Sequence, residues 1–324
     1  MITRRRFLLA SAVGALAPPF AFAQTRPVKV GMLAPRPLEE SNYAPMMVQR
    51  LGELGYREGS GMVLEYRSSE GYAERYPKLA RELVDLKCDI VFAIGPEAPV
   101  RALREARAPM PVVFLAIEYD PLESGVVKSL GRPESNMTGV YLPQTAMAAK
   151  RLEIMREVVP SAQRFLVLVD ATSKGQLSAL RKAAAVARVQ LTVIEFTNPP
   201  YDYAAAFEAG RKANVQAFIG LSTGVFAATE GQIAALLAQH RLAGIGSTLR
   251  MGQVGYLLAY TVDTSKAGRR AAEMGVRILK GAKVADIPVE QADEFVLVVN
   301  AKTAKAFGIK IPESVLARAT RIVS

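Results

Sequence analysis

The chain has 324 residues, half of them hydrophobic, with 41 Lys and Arg against 30 Asp and Glu and a formal net charge of +11. That length suits two ordinary hydrophobic cores, and the apolar content excludes an intrinsically disordered chain. The basic excess reads as a solvated surface and not as a nucleic-acid face, because Lys and Arg alternate with acids, as in residues 78–87 (KLARELVDLK), instead of clustering among aromatics.

At the start of the chain, residues 3–9 (TRRRFLL) resemble a twin-arginine export signal; residues 8–20 form a moderately apolar run, and Ala21, Phe22 and Ala23 before Gln24 fit an A-x-A cleavage site. Residues 1–23 are therefore read as a signal peptide. A membrane anchor fits less well: the run is short, is broken by Pro18 and Pro19, and has no stop-transfer segment after it. No Cys stands at the cleavage site to take a lipid, so the expected product is soluble and periplasmic, without stable membrane insertion of the mature chain. Cys88, the only cysteine, rules out an intrachain disulfide and is expected to pack as a small apolar residue at a strand entrance.

Residues 28–34 read as a first strand, followed by a Pro35-Arg36-Pro37 loop and a helix over 39–54 that Gly55 stops. A strand at 63–66 precedes a helix whose apolar face is Tyr76, Leu79, Ala80, Leu83 and Val84, spaced at three and four. The run 89–95 (DIVFAIG) has the continuous apolar character of a strand covered on both faces. A helix over 96–106 and a strand over 111–117 follow, then a polar loop at 118–121 and a short strand at 137–141. The rhythm then repeats with helices over 146–159, 176–187, 203–213 and 226–240 and strands over 165–170, 190–196 and 217–221. Residues 255–262 read as a return crossing, because the helix over 266–279 has no strand partner left in the second half; residues 294–299 read as a third crossing. The expected fold class is α/β, two doubly wound parallel-sheet lobes joined by three hinge crossings, with residues 24–138 plus 263–290 in lobe 1 and 139–262 plus 291–324 in lobe 2. Short crossings of this kind suit hinge bending.

No catalytic constellation is legible. His240 is the only histidine and falls at a helix end, where the dipole favours it, with no acid, serine or cysteine placed by motif beside it. One Cys and one His give no metal site, Gly244 and Gly246 lack the context of a dinucleotide loop, and no P-loop occurs, so no cofactor is expected.

Ligands of open α/β sheets sit beyond the carboxyl ends of the strands. The candidate residues are therefore those in strand-end loops. Glu118, Asp120 and Asp170 could pair with an ammonium or be solvated loop acids. Ser222 and Thr223 could help hold a carboxylate or simply cap a helix, and Ser173, in the loop after the strand over 165–170, is a further candidate ligand residue. Tyr43, Tyr119, Tyr141, Phe226 and Tyr260 could stack on an apolar or aromatic ligand or pack ordinarily. Arg250 could bind a carboxylate or form a surface salt bridge. Acids at one pole and hydroxyls with a helix start at the other suit a zwitterion; the scarcity of Asn and Gln in these loops and the absence of Trp argue against a sugar.

At residues 56–59 (YREG) with 64–66 (LEY), at Asp120 and Pro121 with residues 136–139 (NMTG), and at residues 294–308 (EFVLVVNAKTAKAFG), the chain resembles the substrate-binding proteins of ABC transporters, in the group that includes tryptophan- and aromatic-amino-acid-binding members. The likeness runs over essentially the whole mature chain, and its C-terminal stretch is the most specific part. It implies a type I periplasmic binding protein fold, with a membrane permease and its ATPase as partners. Residues 95–99 (GPEAP), which include Glu97, stand where small hydroxyl residues are usual in that group. The reading is a periplasmic receptor of an ABC importer that binds an amino acid or related carboxylate, possibly aromatic, in the interlobe cleft, makes or breaks no bond and needs no nucleic-acid partner. The competing readings are an exported ligand-sensing subunit feeding a membrane signalling kinase and an exported enzyme of Rossmann-like build.

Overall fold

The computed structural model describes residues 26–41, 43–117 and 119–324. The expected signal peptide and Glu118 lie outside them. In chain order the first half runs β1 (Val28–Ala34), α1 (Ala44–Glu53), β2 (Met62–Ser68), α2 (Tyr76–Asp85), β3 (Ile90–Gly95), α3 (Glu97–Glu105), β4 (Val112–Ala116) and β5 (Met137–Tyr141). The second half runs α4 (Gln144–Val158), β6 (Arg164–Val169), α5 (Lys174–Ala187), β7 (Gln190–Glu195), α6 (Tyr203–Lys212), β8 (Ala217–Ile219), α7 (Gly224–Ala228), α8 (Glu230–Gln239), β9 (Ala243–Gly246), α9 (Leu249–Val254) and β10 (Leu258–Val262). The chain ends with α10 (Thr264–Leu279), β11 (Glu290–Gln291), β12 (Phe295–Asn300), α11 (Ala301–Phe307), α12 (Glu313–Arg318) and β13 (Arg321–Val323).

The described strands form two sheets. The first, in the order β11-β5-β4-β3-β1-β2, is parallel throughout. The second, β13-β12-β10-β9-β8-β6-β7, is parallel except where β12 runs antiparallel to β10. β3 shows why an unbroken apolar run suits such a sheet. Ile90, Phe92 and Ile94 join α1 and α10 in one core, while Val91 and Ala93 join α2 and α3 in the other. β6 divides in the same way, with Phe165, Val167 and Val169 against α4 and α5, and Leu166 and Leu168 against α6 and α8.

The chain passes from the first sheet to the second between Tyr141 and Gln144, returns between Val262 and Thr264, and crosses again between Gln291 and Phe295. α10 does pack on the first sheet, with Ala271 and Ala272 beside Val30 and Phe92. Two expected boundaries move. The division at 138/139 falls inside β5, all five of whose residues pair with β4, and Gln291 still pairs with Tyr141 in the first sheet. The helix expected over 226–240 is broken at Thr229, whose hydroxyl donates to the Val225 carbonyl at 2.8 Å. The β9 run AGIG was not expected as a strand. Its glycines carry little β-propensity, and tight packing selects them: a Cβ on Gly244 would lie 2.8 Å from Leu237 Cδ1 and one on Gly246 2.5 Å from Met251 Cβ. Cys88 is buried at the entrance to β3, as expected, and burial pushes its thiol up to about 11.

Candidate ligand-binding site

Both sheets share one winding. In the first, the strand order turns back between β1 and β3; in the second it turns back between β6 and β8. These switch points open crevices at the carboxyl ends of the strands, where open α/β sheets take ligands. The two crevices face each other, since Arg36, in the loop after β1, reaches from the first sheet to donate its Nη2 to the Gly224 carbonyl after β8 at 3.4 Å. The Arg36 carbonyl in turn accepts from the Tyr66 hydroxyl at 2.7 Å, which fixes the loop.

Asp170 follows β6 and is buried. Its Oδ1 accepts from Thr172 N and Oγ1 (3.0 and 2.8 Å) and from Ser173 N and Oγ (both 3.2 Å), while Ser173 Oγ accepts from Asp170 N at 2.9 Å. This capping box explains the burial of Ser173 and uses Oδ1 alone. Ser222 and Thr223 follow β8. Thr223 Oγ1 accepts from Phe226 N at 3.1 Å, so this hydroxyl is a helix cap. The backbone of Ser222 is clamped by the Gln176 amide, which donates to its carbonyl at 2.8 Å and accepts from its N–H at 2.9 Å.

On the first sheet, Glu97 opens α3 at the β3 switch point, 3.8 Å from Arg101. Tyr119 packs against the core beside α3 instead of standing open at a mouth. Its hydroxyl is buried with no hydrogen-bond partner among the described residues, and burial first, then Glu97, pushes its pKa up. Asp120 holds its own turn, with Oδ1 accepting from Leu122 N and Glu123 N at 2.8 and 3.1 Å. Tyr141 and Tyr260 belong to the crossings. The Tyr141 hydroxyl donates to Gln291 Oε1 at 2.9 Å, and the Tyr260 ring stacks on Phe295 while packing into both large cores. Tyr43 precedes α1 and packs on the first core. Arg250 takes the surface salt-bridge alternative: its side chain is 73% exposed and lies 3.0 Å from the buried Glu230. His240 ends α8 beside Phe207, as expected of a helix-end residue.

The structure adds groups that the sequence reading passed over. Phe196 stacks on Tyr201 with centroids 4.5 Å apart, and both meet Tyr203 and Phe226 edge-on, at 5.6 to 6.4 Å. Tyr201 is close enough to Asp170 for that carboxylate to help raise its phenol, after burial. An aromatic patch thus stands beside the buried acid at the second switch point. The signal was present as three aromatics within eight residues after a strand, but they follow an edge strand and lacked a motif. Arg151, on α4, is wholly buried, and its guanidinium meets the Tyr260 and Gly220 carbonyls and Gln144 Oε1 at 3.0, 3.4 and 3.1 Å. Burial draws it down to about 9, which leaves it charged at neutral pH. A hollow of about 320 Å³ beside the crossings is walled by Lys266, Arg269, Arg270, Glu273, Glu290 and Glu294. These charges pair with one another or with Glu53.

The family model described as ABC transporter substrate binding protein matches residues 46–323. The chain belongs to that family. This substrate-binding protein is 24% identical to a tyrosine-binding protein of Clostridioides difficile (strain R20291) over 271 residues, 81% of this chain and 75% of that one. Among solved structures, an ABC domain in complex with L-Trp from Streptococcus pneumonia matches with a TM-score of 0.79 and 26% identity, over 92% of this chain and 100% of the other. A conserved domain protein from Vibrio cholerae O1 biovar El Tor also matches at 0.79, with 24% identity over 91% and 99% of the two chains. The fold of this substrate-binding protein is that of the type I periplasmic binding proteins. Among the described residues no helix is long and apolar enough to cross a membrane, and no group of three or more His, Cys, Asp or Glu could hold a metal ion.

Proposed function

We propose that this substrate-binding protein is the receptor of an ABC importer, exported to the periplasm, that holds an aromatic amino acid between the strand-end loops of its two sheets. The observation that carries the reading is the patch of Phe196, Tyr201, Tyr203 and Phe226 beside buried Asp170 at the β6/β8 switch point. A ligand ring would lie against that patch, and its ammonium would meet the Asp170 carboxylate, which the Tyr201 hydroxyl also approaches. In a partly dry crevice such a pair is far less screened than in water. A tyrosine-binding relative and a related structure holding L-Trp favour the same ligand class. The two lobes close by bending at the three crossings and present the closed form to a permease and its ATPase. The ligand leaves as it arrived, as suits a member of a substrate-binding family. Export runs through the twin-arginine route.

Native mass spectrometry of the protein purified without denaturation tests the ligand class. Tyrosine, tryptophan or phenylalanine is expected as a carried-over mass or as an adduct on addition at micromolar concentration. Exclusive binding of sugars, or release of a chemically altered product, would contradict the reading.

A further inference from the structure

The largest fully buried side chain among the described residues is a cation, Arg151. All of its recorded hydrogen-bond partners are neutral: the Tyr260 carbonyl, the Gly220 carbonyl and Gln144 Oε1. Among the described residues no carboxylate lies within ion-pair distance of it. Removing a charge from water is costly, and neutral dipoles offset only part of that cost. An unbranched apolar side chain would fill the same space without it, so packing alone does not account for an arginine here.

The three acceptors locate the charge. Gly220 directly follows β8 and leads into the Ser222 and Thr223 loop; Gln144 opens α4 just past the first crossing; Tyr260 lies on β10, two residues before the second crossing ends that strand. The guanidinium therefore sits beneath the strand-end loops of the second sheet, on the side of the crossings, where little water screens it. Loop dipoles on the cleft side are held by the Gln176 clamp and the Thr223 cap, so a charge behind them acts on a fixed frame.

We infer that Arg151 is a buried counter-charge for an anionic group of the ligand, acting through the segment 220–223, so that the site selects the carboxylate-bearing amino acid over its decarboxylated amine. Arg151 touches no ligand and is a positioning residue. The inference deepens the proposed function and rests on it. It moves the anion pole from the short α7 start, whose cap position is already taken, to a charge behind the loop.

The test is calorimetry on the purified protein with two pairs of probes, L-tyrosine against tyramine and L-tryptophan against tryptamine. The wild-type protein is expected to prefer the acid-bearing member. R151M, which keeps length and loses charge, is expected to lose about tenfold of that preference, and R151K to keep it within about threefold. A purely structural role would weaken both members of a pair equally; an unchanged acid-to-amine ratio in folded R151M overturns the inference while leaving the proposed function standing. Should R151M not fold, R151K decides: a folded lysine variant that has lost the preference overturns it. A wild-type protein that shows no preference for the acid also overturns it. Failure of the wild-type protein to bind any of the four probes overturns the aromatic amino acid reading itself, and this inference with it.

Discussion

At the residue scale, the acids of the site differ in burial and in the neighbours that folding gives them. Asp120 is partly exposed and holds its own turn through Oδ1, whereas Asp170 is buried, holds its capping box through Oδ1 and lies within reach of the Tyr201 hydroxyl. Asp170→Asn keeps an acceptor for the capping box and removes the charge. It is expected to weaken aromatic amino acid binding by roughly 30-fold or more, from the typical loss when a desolvated charge pair is broken, while the unfolding midpoint moves little. Calorimetry paired with thermal unfolding checks both halves. Away from the cleft, Glu53 is held down to about 2 by hydrogen bonds from Arg269 first and Arg50 second, against an ordinary value of 4.5. A carboxylate lowered by folding stabilises the native state fully above its unfolded pKa, and that contribution is lost as pH falls from about 4.5 through about 2. Glu53→Gln should therefore flatten the loss of stability over that window and leave the profile above pH 6 parallel to the wild type, as read by urea midpoints across pH. The candidate site was legible in the sequence by address only. Strand-end loops could be found from periodicity, but the roles of Thr223, Asp120 and Tyr119 depend on partners brought in by folding. Arg151 and the Phe196 patch carried no local pattern that would separate them from ordinary helix and loop residues.

At the element scale, the stretches that carry the family likeness prove to be scaffold devices. In residues 136–139, Asn136 Nδ2 donates to the Ala108 and Met110 carbonyls at 2.8 Å, and Thr138 Oγ1 donates to the Ile287 carbonyl at 2.8 Å. Gly139 lies opposite Phe114 across the β4–β5 ladder, where an added Cβ would fall 2.0 Å from the Phe114 carbonyl oxygen. In the C-terminal stretch, Asn300 caps α11 through Thr303 N at 2.9 Å and ties it to the Gly252 carbonyl at 2.9 Å. Glu58 anchors β2 by accepting from Leu64 N at 2.8 Å. Gly139→Ala is expected to destabilise the protein by about 3 kcal/mol or more, because the obstacle is backbone in a central strand and cannot swing aside. Urea unfolding of the folded variant measures it; a change below about 1 kcal/mol would show that β4 and β5 part easily. This explains why fold and family were readable while the ligand was not: a motif spent on strand pairing and capping identifies the frame. The missed strand β9 and the break before α8 are tertiary effects, set by Leu237, Met251 and the Thr229 hydroxyl.

At the scale of the whole molecule, two lobes with one winding are joined by three short crossings laced to each other. Ala292 N donates to the Tyr141 carbonyl, and Asp263 N to the Glu294 carbonyl, both at 2.8 Å. Rotation there needs few residues to change, and the described side chains record one hydrogen bond across the front of the cleft, from Arg36 to Gly224. Being exposed and long, that contact is weak, so Arg36→Ala should speed ligand release by no more than about fivefold in stopped-flow fluorescence. A change of two decades would instead make Arg36 a ligand contact. The central claim is closure over an aromatic amino acid, and small-angle scattering with and without saturating L-tyrosine or L-tryptophan tests it most directly. The account predicts a saturable fall in radius of gyration with the ligand recovered unchanged; an identical scattering profile at ligand concentrations that calorimetry shows to be saturating would contradict it.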